Sequence, residues 1–148
     1  MAIRFHDAGQ TIYDFGKTFL VVCPRCQRRV NVVPLPGSEP KLFAPRRLAC
    51  VRCGYSKDWH NHSISIGGPV DWYFRQPLWL QTPCCGQTLW AYNAEHLDFL
   101  EAYIKADMRE RVPNSNKSLA SRLPGWMKDA SNRADLLRGI ARLRQKLN

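Results

Sequence analysis

The chain has 148 residues, and its 22 Lys and Arg outnumber its 12 Asp and Glu, which gives a net charge of +10. A hydrophobic content of 45% with five Trp supports a packed core and excludes wholesale disorder. No stretch approaches the roughly 18 apolar residues of a transmembrane helix, and the first residues lack the apolar run of a signal peptide. We therefore expect a cytoplasmic protein without membrane segments, in a compartment where paired cysteines bind metals more often than they form disulfides.

Strand-forming residues surround two Cys-x-x-Cys pairs in the first 60 residues. β-Branched and aromatic side chains predict four strands, at residues 18–22, 28–33, 42–48 and 55–59. One predicted strand enters each cysteine pair and another leaves it. A turn-rich stretch at residues 34–40 lengthens the connection between the second and third strands.

The two pairs predict one zinc site with four thiolate ligands: Cys23, Cys26, Cys50 and Cys53. Tight turns let both sulfurs of a pair reach the metal at about 2.3 Å. The 23 residues between the pairs are somewhat more than the roughly 15–20 usual for this motif. Because four thiolates close the coordination shell, we expect the zinc to be structural.

This segment resembles the zinc ribbon of the transcription factor IIB type over about residues 18–60. The four cysteines and the Cys53–Gly54 step carry the resemblance. It implies that the same four cysteines are the metal ligands of a zinc-stabilised recognition module, with no particular reaction attached. No cyclin-like repeats follow, so the resemblance does not imply a basal transcription factor.

More strand is predicted between residues 60 and 93. Residues 63–66 alternate polar and apolar side chains, and residues 78–81 and 88–92 flank a turn as a hairpin would. That turn contains Cys84 and Cys85, which we interpret as buried or partly buried free thiols. Two alternatives stay open for this pair, a second zinc centre with His60 and His62 or a redox-reactive dithiol.

The C-terminal third is predicted to be helical. Leucines and aromatics at helical spacing predict a helix over residues 94–111 with Asn93 as its N-cap, then short helical turns at residues 117–123 and 124–129. A last helix is predicted over residues 132–147. The fold class expected is α+β: a zinc ribbon at residues 1–60, extended into a small antiparallel sheet, and a β and helical part at residues 61–148 packed with it as one unit.

The positive charge is concentrated at the two ends of the chain. Residues 1–60 and 101–148 each carry +6, whereas residues 61–100 carry −2. Such segregation favours an anionic partner, and we expect nucleic acid, DNA or RNA, bound without catalysis. The candidate contact residues are Arg28, Arg29, Arg46, Arg47, Arg138 and Arg142.

Two other classes of function remain open from the sequence. A protein-binding module, such as a toxin-neutralising immunity protein or an adaptor, would dock an acidic partner or expose aromatic side chains within residues 70–92. A metal-dependent nuclease is suggested only by the letters His60-Asn61-His62. The HNH motif distributes its residues over a hairpin and a helix, and strand signals follow His62 instead, so we expect no enzyme.

Overall fold

The computed structural model has the predicted α+β class. It describes residues 4–5, 9–39, 41–106, 108–109, 119 and 122–148. The chain divides into two compact units. The first, called the ribbon unit, covers residues 16–81 and 90–93; the second, called the helical unit, covers residues 1–15, 82–89 and 94–148. These boundaries differ from the division predicted at residue 60, and packing of the ribbon with the rest of the chain as one unit stays a prediction.

A four-stranded antiparallel sheet is the frame of the ribbon unit. Its strands, adjacent in chain order, are β2 (Phe19–Val22), β3 (Arg29–Pro34), β4 (Arg46–Ala49) and β5 (Ser56–Trp59). Val21 lies opposite Val30, and Val32 lies opposite Leu48. Because side chains alternate between the faces of a strand, this register places the apolar residues on one buried face.

Aromatic rings pack around Phe19 in the core of the ribbon unit. The ring of Phe19 lies 5.0 Å from Trp72, 5.9 Å from Tyr73 and 5.1 Å from Tyr92, in edge-to-face geometry each time. Trp59 packs on Tyr73 at 4.8 Å. The aromatic residues after the ribbon therefore form the core that the small sheet could not build alone.

The segment at residues 63–66 is not the strand that its alternation predicts. Ile66 is 40% exposed, and Gly67 and Gly68 follow at φ angles of +132° and +75°. The chain turns there, and Trp72 and Tyr73 occupy the core instead. Alternation predicted the wrong structure because these isoleucines have no buried face to occupy.

Helices make up most of the helical unit: α1 (Ala94–Lys105), α2 (Gly125–Lys128) and α3 (Arg133–Gln145). Single turns of 3₁₀ helix lie at Ile12–Phe15 and Ala130–Asn132. A two-residue strand, β1 (Arg4–Phe5), pairs in parallel with β8 (Met108–Arg109). No helix in the described part of the chain is both long and apolar enough to cross a membrane.

The first helix ends at Lys105, six residues before its predicted end. The carbonyl of Ala106 accepts a hydrogen bond of 3.1 Å from the guanidinium of Arg133 at the start of α3. Arg144 of α3 bonds Asp98 at 2.6 Å and Glu101 at 2.9 Å, which ties the two helices together. The predicted helical turn at residues 117–123 lies largely outside the described residues.

The predicted hairpin is present as β6 (Leu80–Cys84) and β7 (Gln87–Ala91). Its two-residue turn consists of Cys85 and Gly86, both at positive φ, as the turns that suit right-twisted hairpins require.

Candidate metal centre and basic surface

Both Cys-x-x-Cys pairs lie in matching turns at one end of the ribbon sheet. In the first turn the N–H of Gln27 donates to the carbonyl of Cys23 at 2.9 Å, and in the second the N–H of Gly54 donates to that of Cys50 at 2.9 Å. Gln27 and Gly54 both have left-handed φ angles, +64° and +80°. Each cysteine pair therefore folds back on itself in the same way, and the sheet register brings the two turns together.

The four sulfurs converge. The Sγ atoms of Cys23 and Cys53 lie 3.6 Å apart, as do those of Cys26 and Cys50, and all four atoms lie within 4.8 Å of one another. Four sulfurs bonded at about 2.3 Å to one tetrahedral ion would be about 3.8 Å apart. This cluster could hold a metal ion, and it is the only cluster of three or more possible metal ligands among the described residues.

Backbone N–H groups favour the thiolate at two of the four sulfurs, those of Cys50 and Cys23. Hydrogen bonds from the backbone of Cys53 and Arg52 lower the pKa of Cys50 to about 6. Burial raises the pKa of Cys23, but the backbone groups of Cys26 and Arg25 outweigh it and the net shift is downward. At Cys53 the backbone of Tyr55 acts in the same direction, but burial and hydrogen bonds with the other three sulfurs raise the pKa to about 11. Since the thiolate is the form that ligates metals, the turns favour metal binding at Cys50 and Cys23.

The candidate arginines of the ribbon have different environments. Arg28 and Arg29 are exposed beside the first cysteine turn. Arg47 is half-buried and forms a two-pronged pair with Asp58, with N–O distances of 2.8 Å and 3.1 Å. Arg46 is 1% exposed and donates to the carbonyls of Ala44 and Lys41 at 3.0 Å and 2.8 Å.

Arg46 therefore leaves the set of candidate phosphate contacts. Its guanidinium also lies 4.6 Å from the centre of the Tyr73 ring, so it holds the loop that contains Lys41 and Ala44 onto the core. An isolated strand pattern cannot distinguish such an arginine from an exposed one.

The candidate arginines of the last helix belong to the helical unit and have partners there. Arg138 is paired with Asp135. Arg142 donates to Thr82 Oγ1 at 3.2 Å and to the carbonyl of Pro83 at 2.9 Å, which fastens α3 to the hairpin. Both side chains are exposed, so these contacts use only some of the N–H donors of each guanidinium.

Two further arginines of the ribbon unit lie within the cysteine turns. Arg25 and Arg52 occupy the third position of each Cys-x-x-Cys pair and are exposed. Val51, beside Arg52, is 99% exposed. Their exposure can be predicted from the sequence, because both lie between two metal-ligating cysteines. A turn that directs its sulfurs inward directs the intervening side chains outward.

The residues of the HNH-like sequence, His60, Asn61 and His62, directly follow β5, and all three side chains are exposed. Neither histidine joins a cluster of three or more possible metal ligands within the described ranges.

No protein-family model matches this chain, and neither the curated proteins nor the solved structures include a significant match to it. The resemblance to a IIB-type ribbon stays a prediction.

Proposed function

We propose that this chain is a zinc-stabilised ribbon protein that binds nucleic acid through the metal end of its sheet, without catalysis. One observation carries the proposal: Arg25, Arg28 and Arg52 are exposed at the cysteine turns and form no ion pair among the described residues. These three arginines are called the turn arginines below. Their positive charge is available to an anion.

The acidic residues of the ribbon do not neutralise this surface. Between residues 16 and 60 there are two, Glu39 and Asp58. Glu39 is paired with Lys41 at 2.9 Å and Asp58 with Arg47 at 2.8 Å. Four thiolates around a divalent ion add a charge of −2, which the three turn arginines exceed.

Zinc is the ion that the donor set favours. Four thiolates in a tetrahedral arrangement are typical of structural zinc, and the 3.6 Å sulfur separations match that geometry. The reducing cytoplasm that we propose as the compartment would keep the four thiols available. The ion would add order to a module whose turns contain few buried apolar groups.

Guanidinium groups on metal-fixed turns are suited to phosphate. Each presents a planar fork of N–H donors that can bond two phosphate oxygens at once. Because the turns are cross-linked by the metal, the guanidinium stems start from fixed positions and less conformational entropy is lost on binding. Contacts of this kind read the backbone and not the bases, so we expect affinity without sequence preference.

A protein partner is the alternative, and its expected surface receives less support. The exposed aromatic patch sought within residues 70–92 is not found there: Trp72, Tyr73 and Tyr92 are buried. Phe74, Trp79 and Trp90 are half-buried. These rings stabilise the core.

Binding of a labelled single-stranded oligonucleotide across a salt series tests the proposal. Each phosphate contact contributes about 0.7 to the slope of log affinity against log salt on single strands. Replacing the three turn arginines by Gln should therefore reduce the slope by about 2 and weaken binding severalfold or more at low salt. The matched control removes three exposed charges that already have partners, Lys105, Arg138 and Arg142, and should change the slope much less.

Each other outcome has a defined meaning. A control variant that loses as much slope as the turn variant would move the contact surface to the helical unit. Wild-type protein that binds no oligonucleotide at low salt would contradict nucleic-acid binding and promote the acidic protein partner. Zinc content and the melting curve of both variants should equal those of the wild type, which separates charge loss from unfolding.

A further inference from the structure

The second sulfur pair of the chain lies outside the metal cluster. Cys84 ends β6 and Cys85 begins the hairpin turn, and their Sγ atoms are 3.6 Å apart. Cys84 is buried, with its sulfur 3.5 Å from the carbonyl oxygen of Asp135 in α3, whereas Cys85 is half-buried. Two thiols thus lie side by side, one anchored and one accessible.

The backbone places Cys85 where cysteine is unusual. Its φ angle is +56°, in the left-handed region, and Gly86 follows at +74°. Such two-residue turns strongly prefer Asn, Asp or Gly at both positions, because a β-carbon is strained there. A cysteine held in this strained conformation, next to another cysteine, indicates that its thiol has a chemical function.

The distance between the two sulfurs limits which metal or metalloid atoms the two thiols can bind together. A central atom bonded to both sulfurs at about 2.3 Å, the length of a zinc–thiolate bond, would have an S–X–S angle of about 103° at the observed separation. That angle is typical of pyramidal or tetrahedral centres. It is far from the linear geometry of a two-coordinate metal such as mercury(II) or gold(I).

The number of protein ligands available further limits which atom can bind at this pair. No third Cys, His, Asp or Glu joins the pair to form a cluster in the described part of the chain, so a tetrahedral zinc ion would keep two positions without protein ligands. A trivalent arsenical with one organic substituent has two exchangeable positions, pyramidal geometry and a strong affinity for thiolates. Two thiols complete its coordination.

We propose that Cys84 and Cys85 form a chelating dithiol site for monosubstituted trivalent arsenicals. With phenylarsine oxide, two As–S bonds form and the As–O bond breaks, while the two thiol protons and the oxygen leave as one water molecule. Arsenic stays trivalent, so no oxidant or reductant is needed. The product is a ring that closes over the hairpin turn.

The two sulfurs have different parts in this reaction. Burial raises the pKa of Cys84 to about 11, which makes it the poorer initial nucleophile. Cys85 is the more accessible sulfur and forms the first bond. Cys84 then forms the second As–S bond, because its sulfur already lies at the separation from the Cys85 sulfur that the chelate requires.

The test uses zinc-loaded, fully reduced protein and one equivalent of phenylarsine oxide, followed by intact-mass measurement and zinc analysis. We expect one adduct per chain with zinc retained. This adduct should resist excess monothiol and be removed by a small dithiol, because a chelate is reversed only by another chelator. In Cys84→Ser and Cys85→Asn the adduct should lose this resistance by at least tenfold, and Asn suits the left-handed turn, so Cys85→Asn should fold normally.

Three results would overturn the proposal. The first is an adduct of Cys85→Asn that resists monothiol as the wild-type adduct does. The second is release of zinc in proportion to arsenical bound, which would place the arsenic on the four-cysteine cluster. The third is absence of any adduct at one equivalent while both thiols still react with a small maleimide.

Discussion

Asp71 shows most clearly how one buried polar side chain organises the ribbon unit. The carboxylate is inaccessible to solvent and accepts hydrogen bonds from the backbone N–H groups of Tyr73 at 2.9 Å, Phe74 at 2.8 Å and Gln76 at 2.6 Å. Burial raises the pKa of the carboxyl group, although these three donors oppose that shift. One side chain thus replaces the partners that a strand would supply to this loop.

Replacing Asp71 by Ala should destabilise the protein strongly. Three backbone donors would lose their acceptor, that of the buried Tyr73 and those of the half-buried Phe74 and Gln76. A buried donor without a partner costs about 1–3 kcal/mol, so we expect a loss of at least about 1–3 kcal/mol in urea unfolding. Asp58→Ala, which removes an exposed carboxylate of the same unit, is the control and should change stability little. A loss equal to that of the control would show that the loop does not depend on these bonds.

His96 makes the stability of the helical unit depend on pH. Its ring is buried and stacks on Phe15 at 5.1 Å, and desolvation lowers its pKa to about 4. In the unfolded chain the pKa is about 6.5. Between these values the unfolded state binds the proton and the folded state does not, so stability is complete above pH 6.5 and is lost as the pH falls toward 4.

We predict a loss of about 3 kcal/mol from this histidine over that range, since each pKa unit corresponds to about 1.4 kcal/mol. The measurement is the free energy of unfolding at pH 7 and pH 4 for the wild type, His96→Phe and the exposed control His62→Gln. Release of the proposed metal at low pH would affect all three proteins alike. His96→Phe should lose less stability than the other two, and equal losses in all three would contradict the assignment.

Gly16 is required by the space that Trp72 occupies. A β-carbon at Gly16 would overlap Cζ3 of the indole ring and lie 2.6 Å from Cη2. Trp72 is 1% exposed and packed on Phe19 and Tyr92, so the ring cannot move aside.

Gly16→Ala should therefore lower the thermal midpoint, with a destabilisation of about 2 kcal/mol or more. Gly125→Ala is the matched control, because a β-carbon there meets no atom within 4 Å. The prediction fails if the two substitutions shift the midpoint equally.

At the scale of elements, the cysteine turns were the most predictable part of the chain. Their ligand spacing, their exit at Gly54 and the strands around them follow from local rules of turn and strand chemistry. The last helix was also predicted to within two residues of its observed ends, since its apolar stripe is regular.

The elements that were mispredicted depend on contacts distant in sequence. The stripe of α1 continues to Met108, yet the helix ends at Lys105, where Arg133 caps the carbonyl of Ala106 and β8 pairs with β1. Arg46 looks like its neighbour Arg47 in sequence, but only Arg46 faces inward, because Tyr73 and two loop carbonyls bind it. Such partners are outside the reach of any local pattern.

Across the whole molecule, the arginines have two kinds of environment. The arginines of the last helix are bonded within the helical unit, and Arg144 is half-buried between two carboxylates of α1. The turn arginines of the ribbon unit form no ion pair with another described residue. The net charge of +10 alone would not distinguish these two sets.

X-ray absorption at the zinc edge, combined with metal analysis, tests the account most directly, because the proposed role of the turn arginines depends on a metal that would fix the turns. We predict one zinc per chain with four sulfur neighbours at about 2.3 Å. The signal should be unchanged in Cys84→Ser and should lose a sulfur neighbour, or the metal itself, in Cys26→Ser. A nitrogen or oxygen ligand in the wild-type shell, or reduced protein that binds no zinc, would contradict the account.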